Sequence, residues 1–307
     1  MSSHQSTVLT PKIGIVGLGL VGRALAQRLK DAGFVCIGSD VRQEAMDFFA
    51  AQGYAIQTSV AQLAQSVNIL ILAVFDTSGV EDVAHQILQA KPNHSTGSEL
   101  TLMDCSTGDP LALEKLASQL KANGVRFLEA PLSGSSVQIE NGEATLLLGG
   151  ETADVQRLDP LLKVLATQRI HVGGVGMAAR AKLATNLVLG LNRAALAEGM
   201  VFAESMGIAP QAFLDLVLAT PARSDAAVVK GSMMVNAQFA PQSRIRQHLK
   251  DVQLMLDMAQ SHSQNLPLST AHAQLMRNAI AQGDGELDNA AIIQQIRREK
   301  TDPHSKT

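Results

Sequence analysis

A glycine-rich segment near the amino terminus constrains the fold of this 307-residue chain more than any other feature. Residues 17–22 read GLGLVG and follow an apolar, strand-like segment, Lys12–Gly17. A segment with helical periodicity, Val21–Ala32, comes next, and a second strand-like segment, Phe34–Ser39, ends directly before Asp40. A strand, a G-x-G-x-x-G turn, a helix and an acidic residue after the next strand form the dinucleotide-binding fingerprint. The sequence therefore predicts a Rossmann-like domain at the amino terminus.

The residues of this turn suit a dinucleotide for separate physical reasons. Gly17 permits a tight turn, Gly19 lets the backbone approach a pyrophosphate, and Gly22 allows close packing of helix on strand. The start of the helix, with Leu18 beside it, offers N–H groups and a partial positive charge to the phosphates. We therefore predict that Gly17, Leu18, Gly19 and Gly22 bind the cofactor; the alternative is a glycine-rich turn that binds no ligand.

Asp40 bears on which dinucleotide is bound. A carboxylate at this position accepts hydrogen bonds from ribose hydroxyls and repels a 2′-phosphate. We predict that Asp40 binds the cofactor and that the cofactor is NAD, with NADP less favoured. Arg42 lies two residues further on and could partly reverse this preference. The alternative for Asp40 is a solvated carboxylate at the end of a strand.

The rest of the first half alternates strand-like and helical segments. A helix is predicted over Arg42–Ala51, and strands are predicted at Val67–Val74, Leu100–Asp104, Arg126–Glu129, Ala144–Leu148 and Ile170–Val172. Such alternation with short connections is typical of a parallel, doubly wound sheet. We predict an α/β Rossmann-like domain with this sheet over residues 11–175.

The second half contains no convincing strand. Its helical segments are Ala178–Met206, Gln211–Leu218, Ile245–His262, Ser269–Gln282 and Ala290–Arg297. We therefore predict a long linking helix followed by an all-α domain, together covering residues 176–298. The polar ends, 1–10 and 299–307, are expected to be flexible tails.

Composition argues against several classes of protein. The net charge of −3 gives no basic field for nucleic acid, and the longest apolar run, residues 69–75, is too short to span a bilayer. Two cysteines do not make a disulfide framework or a zinc site, so no metal is expected. The first ten residues lack the apolar stretch of a secretory signal. We expect a cytoplasmic protein with no nucleic-acid or membrane partner.

Two loops carry groups suited to a small acid. Ser106 and Thr107 follow a predicted strand, at the edge where open parallel sheets bind ligands. Their hydroxyls could bind a carboxylate or the nicotinamide ribose, and the alternative is a helix N-cap. In the segment Ser133-Gly134-Ser135, backbone N–H groups could converge on a substrate carboxylate. The alternative there is a purely structural turn.

The predicted linking helix begins in a segment that carries Lys182 and Asn186. These residues are four positions apart and therefore share one face of the helix. Burial of Lys182 beside a positively charged nicotinamide would lower its pKa towards neutrality and let it exchange a proton. The alternative is a surface lysine. Further along, Lys250 precedes Asp251, a pair that has little meaning by itself.

Taken in order, four segments resemble the β-hydroxyacid dehydrogenase family: residues 104–110 (DCSTGDP), 129–135 (EAPLSGS), 173–186 (GGVGMAARAKLATN) and 249–252 (LKDV). The resemblance extends from Lys12 to Arg297. It implies that Lys182 is the general acid/base, that Asn186 holds the substrate or the lysine, and that Lys250 reaches the cofactor or substrate. Ser135 replaces a glycine of the family pattern, which we expect to restrict positive φ and to alter the shape of the substrate site.

The resemblance implies an NAD-dependent oxidoreductase that transfers a hydride between nicotinamide and a small hydroxy acid or its semialdehyde. We predict Lys182 and Asn186 as catalytic, Ser106, Ser133, Gly134, Ser135 and Lys250 as substrate-binding, and Thr107 and Lys250 as further cofactor-binding residues. The substrate class is that of 3-hydroxyisobutyrate, threonate, glycerate and tartronate semialdehyde. Two alternatives are an imine reductase, which usually lacks this lysine, and a non-catalytic NAD-binding regulator. The apolar second domain suggests a homodimer or homotetramer.

Overall fold

The computed structural model describes residues 12–90 and 99–299 and divides the chain into two compact units, Met1–Lys182 and Leu183–Thr307. The boundary therefore falls inside a long helix, later than the position 175/176 expected from the sequence. The predicted tails lie outside the described residues, apart from Glu299.

The first unit alternates strands and helices. Its strands are β1 (Lys12–Val16), β2 (Val35–Ser39), β3 (Ala55–Ile56), β4 (Ile69–Leu72), β5 (Thr101–Asp104), β6 (Arg126–Glu129), β7 (Leu132–Ser133), β8 (Thr145–Gly149) and β9 (Gln168–Gly173). Its helices are α1 (Leu20–Asp31), α2 (Gln43–Ala51), α3 (Val60–Ser66), α4 (Thr77–Ala90), α5 (Pro110–Ala122), α6 (Ser136–Asn141) and α7 (Thr152–Leu165). The helix α8 (Met177–Ser205) begins in this unit and continues into the second.

The strands form one sheet in the order β3-β2-β1-β4-β5-β6-β8-β7, with β9 paired to β8. Every pairing from β3 to β6 is parallel, so the predicted doubly wound sheet is confirmed. The strand order reverses between β1 and β4, and ligands bind at such a switch point beyond the carboxyl ends of the strands. The short strand β3 forms one edge of the described sheet and β9 the other.

The far part of the sheet departs from the all-parallel expectation. Strand β8 runs antiparallel to β6 and β7, while β9 runs parallel to β8. Pro131 stands between β6 and β7, and it has no N–H to donate to a ladder. Its carbonyl still accepts the N–H of Leu147, so the chain bends at the proline and resumes pairing with β8.

Apolar side chains cover both faces of this sheet. One face packs residues such as Leu25, Phe49 and Leu162 from α1, α2 and α7. The other face packs residues such as Leu63 and Ile87 from α3 and α4. Burial on both sides explains why β1, β4 and β5 read as nearly continuous apolar segments.

The second unit is helical, as predicted. After α8 come α9 (Pro210–Ala219), α10 (Asp225–Val235), α11 (Ile245–Ser261), α12 (Pro267–Ala281), two 3-10 turns (Asp284–Glu286 and Asn289–Ala291) and α13 (Ile292–Arg298). Sequence periodicity missed α10, although Ser224 provides a start signal because its hydroxyl accepts the N–H of Ala227. Among the described residues, no helix is both long enough and apolar enough to cross a membrane.

Candidate active site

The glycine-rich turn joins β1 to α1 at the switch point of the sheet. Gly17 has a φ of +93°, and a Cβ there would collide with the carbonyl of Ala73 at the end of β4. A Cβ on Gly22 would collide with the carbonyl of Gly17. At Gly19, by contrast, a Cβ would meet nothing within 4 Å. Two of the glycines are thus needed for packing, and the third faces open space.

The start of α1 suits an anionic ligand. Gly19 is the N-cap residue, no side chain caps the helix, and its first turn carries no acidic residue. Helix N–H groups that lack a side-chain acceptor, together with the helix dipole, favour a phosphate. The residues of the turn therefore fit the pyrophosphate of a dinucleotide.

Asp40 is tied to the same turn. One carboxylate oxygen, Oδ2, accepts the N–H of Leu18 at 2.7 Å, and Oδ1 accepts the N–H of Arg42 at 2.9 Å. The Arg42 guanidinium, whose side chain is 64% exposed, folds back to 3.2 Å from Oδ1. Burial raises the pKa of Asp40, but the hydrogen bonds from Arg42 and Leu18 outweigh it and hold the pKa below its usual value. The carboxylate is therefore ionised at neutral pH.

Ser106 connects the loops that follow two adjacent strands. Its hydroxyl accepts the N–H of Val74, after β4, at 3.1 Å, and its own N–H is donated to Asp104 at 2.9 Å. Ser106 is buried and Thr107 half-buried. The N-cap of the following helix α5 is Asp109, whose carboxylate accepts the N–H of Leu111. The capping alternative considered for this loop therefore applies to Asp109, and Ser106 lies at the carboxyl edge of the sheet.

The segment from Ser133 to Ser135 contains one clear structural role. Ser135 is the N-cap of α6 in a capping box: its hydroxyl accepts the N–H of Gln138, and the Gln138 side chain accepts the N–H of Ser135. The φ of Ser135 is −77°, which a serine adopts freely, so this position does not call for the positive φ that a glycine would permit. The N–H and the hydroxyl oxygen of Ser135 serve the capping box, and Ser133, Gly134 and Ser135 remain predicted substrate contacts.

A buried glutamate holds the start of α8. Glu129, only 1% exposed, follows the strand β6 and accepts the N–H groups of Gly176, Ala178 and Ala179 at 2.6, 3.3 and 3.3 Å. Burial raises the pKa of Glu129 to about 7 although these N–H groups lower it, and the charge of Asp104 adds to the increase. Glu129 opens the motif at residues 129–135, but nothing local in the sequence indicates this role.

The two predicted catalytic residues lie one turn apart on α8, and both are only 7% exposed. The surface-lysine alternative for Lys182 is therefore wrong. In the helical unit, the Nδ2 atom of Asn186 donates to Oδ2 of Asp251 at 3.3 Å. The Nζ atom of Lys250 lies 2.9 Å from the other oxygen of Asp251. Asp251, which sequence reasoning assigned no role, thus contacts both predicted site residues of this unit.

The structure groups the predicted residues into two sets. In the first unit, the glycine-rich turn, Asp40 and Ser106 lie along the carboxyl edge of the sheet. In the helical unit, Asp251 brings Asn186 and Lys250 together. Among the described residues, no group of three or more His, Cys, Asp or Glu side chains could hold a metal ion.

Comparisons with known proteins cover both units. Residues 12–176 match the family described as the NAD binding domain of 6-phosphogluconate dehydrogenase. Residues 176–296 match the family described as NAD-binding of NADP-dependent 3-hydroxyisobutyrate dehydrogenase. Together these two families account for most of the chain.

Curated relatives and solved structures agree with this assignment. The chain is 28% identical to 2-hydroxy-3-oxopropionate reductase of Escherichia coli, covering 93% of this chain and 97% of the relative. It is 27% identical to L-threonate dehydrogenase of Cupriavidus necator, covering 93% and 96%. The crystal structure of 3-hydroxyisobutyrate dehydrogenase from Salmonella typhimurium superposes with a TM-score of 0.80 at 27% identity, covering 92% of this chain and 99% of that one.

Proposed function

The chain belongs to the β-hydroxyacid dehydrogenase family, and from this premise we propose that it oxidises a small hydroxy acid, or reduces the corresponding semialdehyde, with Lys182 as the general acid/base. The observation that carries the proposal is the burial of Lys182 one helical turn before Asn186 on α8. Desolvation makes the charged form of a lysine less favourable, which suits a group that must exchange a proton near neutral pH.

The proposed chemistry divides between cofactor and protein. The nicotinamide accepts or supplies a hydride when the cofactor is bound. Lys182 takes the proton of the substrate hydroxyl in oxidation and returns it in reduction. Asn186 orients the hydroxyl or the lysine, and its own amide is oriented by the hydrogen bond to Asp251. Glu129 fixes the start of the helix that carries both residues.

NAD is the proposed cofactor. The ionised carboxylate of Asp40 supports it, because this carboxylate repels a 2′-phosphate. Arg42 is the competing influence, since its exposed guanidinium could leave Asp40 and pair with a 2′-phosphate. The family name of the second unit refers to NADP-dependent enzymes, so both cofactors belong in the assay.

The proposed substrate is a three- or four-carbon acid whose carboxylate is held near Ser133 and Gly134. The relatives named above act on 2-hydroxy-3-oxopropionate and L-threonate, which are acids of this size. Ser135 has a capping role in the fold, so its presence does not by itself favour a polyhydroxylated acid over 3-hydroxyisobutyrate. Threonate, glycerate and 3-hydroxyisobutyrate are therefore equal candidates.

The test is absorbance at 340 nm with NAD and NADP and four substrates: L-threonate, D-glycerate, 3-hydroxyisobutyrate and 6-phosphogluconate. At least one short acid is expected to be turned over. Turnover of 6-phosphogluconate alone would overturn the substrate class. The corresponding semialdehydes are assayed in the reverse direction. If neither the acids nor the semialdehydes are turned over although the cofactor binds, the non-catalytic regulator is favoured instead.

We also propose that the helical unit mediates a homodimer or homotetramer. Large apolar side chains of its helices are exposed in the single chain: Val188 by 56%, Phe202 by 63%, Leu216 by 55% and Val228 by 48%. Exposed apolar groups of this kind mark interaction surfaces when they are contiguous. Light scattering after size-exclusion chromatography measures the mass, and a monomer at micromolar concentration would contradict the proposal.

A further inference from the structure

Arg193 is a buried cation in the helical unit. It lies on α8 and is only 4% exposed. Among the described residues its guanidinium makes no ion pair within 4.0 Å, and its Nη2 atom is inaccessible to solvent and has no hydrogen-bond acceptor. A guanidinium cannot escape this situation by losing its proton, even though burial lowers the pKa of Arg193 to about 10. Burying such a charge without an acceptor strongly destabilises the folded state.

The carboxylate whose charge acts on Arg193 is already occupied. Asp288 is fully buried and its Oδ2 atom accepts from Nζ of Lys230 at 2.9 Å and from the N–H groups of Gln242 and Ser243 at 2.9 and 3.1 Å. Its Oδ1 atom accepts the N–H of Ala290 at 2.9 Å. Asp288 therefore neutralises Lys230 and leaves Arg193 as excess positive charge.

The other buried carboxylates of this unit also have partners of their own. Asp251 lies against Lys250 and Asn186, and Asp284 is 2.7 Å from the guanidinium of Arg298. In the part of the helical unit that the structure describes, the buried carboxylates are thus matched, and Arg193 carries the unmatched charge.

Two histidine rings, His248 and His272, lie against the face of α8 that carries Gly190 and Arg193. Gly190 lies one turn earlier on the same face of α8, and a Cβ there would collide with Nε2 of His248 and lie 3.1 Å from the ring of His272. The two rings are 5.3 Å apart. Burial, and then the charge of Arg193, lower the pKa of His272 to about 4, so the ring is neutral near pH 7. A neutral imidazole such as that of His272 can donate a hydrogen bond to an anion without adding to the excess charge.

We propose that Arg193 binds a carboxylate-sized monoanion inside the helical unit, with the His248 and His272 rings beside it. The planar fork of a guanidinium matches the two oxygens of a carboxylate, and a halide can occupy the same position. The bound anion supplies the negative charge that Asp288 cannot give to Arg193, because Asp288 is paired with Lys230. This site stands whether or not the proposed dehydrogenase activity is correct.

The first test is anion-dependent stability of the full chain. Melting is followed in formate, acetate and chloride, with ionic strength held constant by the salt of a bulky sulfonate. Formate is expected to raise the Tm of the wild type saturably, by roughly 5 °C at a hundredfold excess over Kd. Arg193→Met is expected to melt at or above the wild type without formate, because it removes an unmatched charge, and to show no response to formate.

Arg277→Met is the matched control, because Arg277 is an exposed arginine of the same unit. It should respond to formate as the wild type does. If wild type and Arg193→Met respond alike, or if neither responds, the site is wrong. If Arg193→Met is strongly destabilised in every salt, Arg193 has a protein partner and the site is equally wrong.

A second test needs no variant. Crystals of the wild type soaked in bromide should show an anomalous peak within hydrogen-bonding distance of the Arg193 guanidinium, and a peak confined to surface cations would overturn the proposal. Succinate and glutarate separate the possible sources of the carboxylate. If succinate or glutarate binds at least tenfold tighter than formate, and Arg193→Met loses this binding, the site holds one end of a longer acid. If formate binds as tightly as the two diacids, the site holds a free anion.

Discussion

Replacement of Glu129 by glutamine tests whether a buried charge at the start of α8 costs stability near neutral pH. Its pKa rises from 4.5 to about 7 on folding, mainly through burial. A carboxyl group with a raised folded-state pKa favours the native state only while it is protonated. Its effect on stability is therefore neutral below the unfolded pKa, becomes increasingly unfavourable as the pH rises from the unfolded to the folded pKa, and is constant above the folded pKa.

The size of the effect follows from linkage. Between about pH 5.5 and about pH 8, ionisation of Glu129 should reduce the free energy of unfolding by about 2 kcal/mol. Glu129→Gln keeps an oxygen acceptor for the Gly176 N–H and does not titrate. The Tm of this variant, relative to the wild type, should therefore rise across this pH range by about 4–8 °C, for a unit of this size.

The assay is scanning calorimetry of both proteins at several pH values in buffers of equal ionic strength. Glu143→Gln is the control, because Glu143 is an exposed glutamate of the same unit and its removal should shift the Tm equally at every pH. A difference between Glu129→Gln and the wild type that is constant with pH would refute the reasoning. Such a result would mean that the three N–H groups stabilise the carboxylate as strongly as burial disfavours it.

Three further predictions concern activity. Lys182→Ala should lower kcat by at least ~100-fold while leaving NAD binding intact; a variant that keeps more than about a tenth of wild-type kcat would contradict its role as general acid/base. With the best substrate, kcat/KM should be higher for NAD than for NADP, and Asp40→Ala should lower the ratio of the two values. A preference of the wild type for NADP would show that Arg42 outweighs Asp40. Asp251→Asn should lower kcat more than it raises KM, because it loosens Asn186 and Lys250 without removing them; an unchanged kcat would show that Asp251 does not position them.

Local signals in the sequence account for the parts of the molecule that were predicted well. Gly22 is needed because the carbonyl of Gly17 approaches it within one strand-turn-helix unit, and Gly17 has a positive φ in the turn itself; both constraints are visible as a spaced pattern. Asp40 was also predictable, because it follows the second strand at a fixed separation. Its hydrogen bond to Leu18 could not be read from the sequence, since it depends on how two strand ends meet.

The parts that were missed depend on residues distant in the chain. Glu129 caps α8 across 47 positions, and Asp288 neutralises Lys230 across 58. No periodicity or motif encodes such pairings. Ser135 shows a different limit: its capping box with Gln138 is a local signal that the motif did not include, and its role as a substrate contact stays a prediction.

The two edges of the sheet bear on how the protein behaves at high concentration. An unpaired strand edge is a template for pairing with another molecule, and proteins limit this hazard with short edges or with charge. Strand β3 offers only two residues, Ala55 and Ile56. At β9, Arg169 and His171 place polar side chains along the edge and disfavour pairing with another strand. Both side chains form hydrogen bonds with backbone carbonyls beside the strand. Resistance to fibril-like association is thus built into both ends of the sheet.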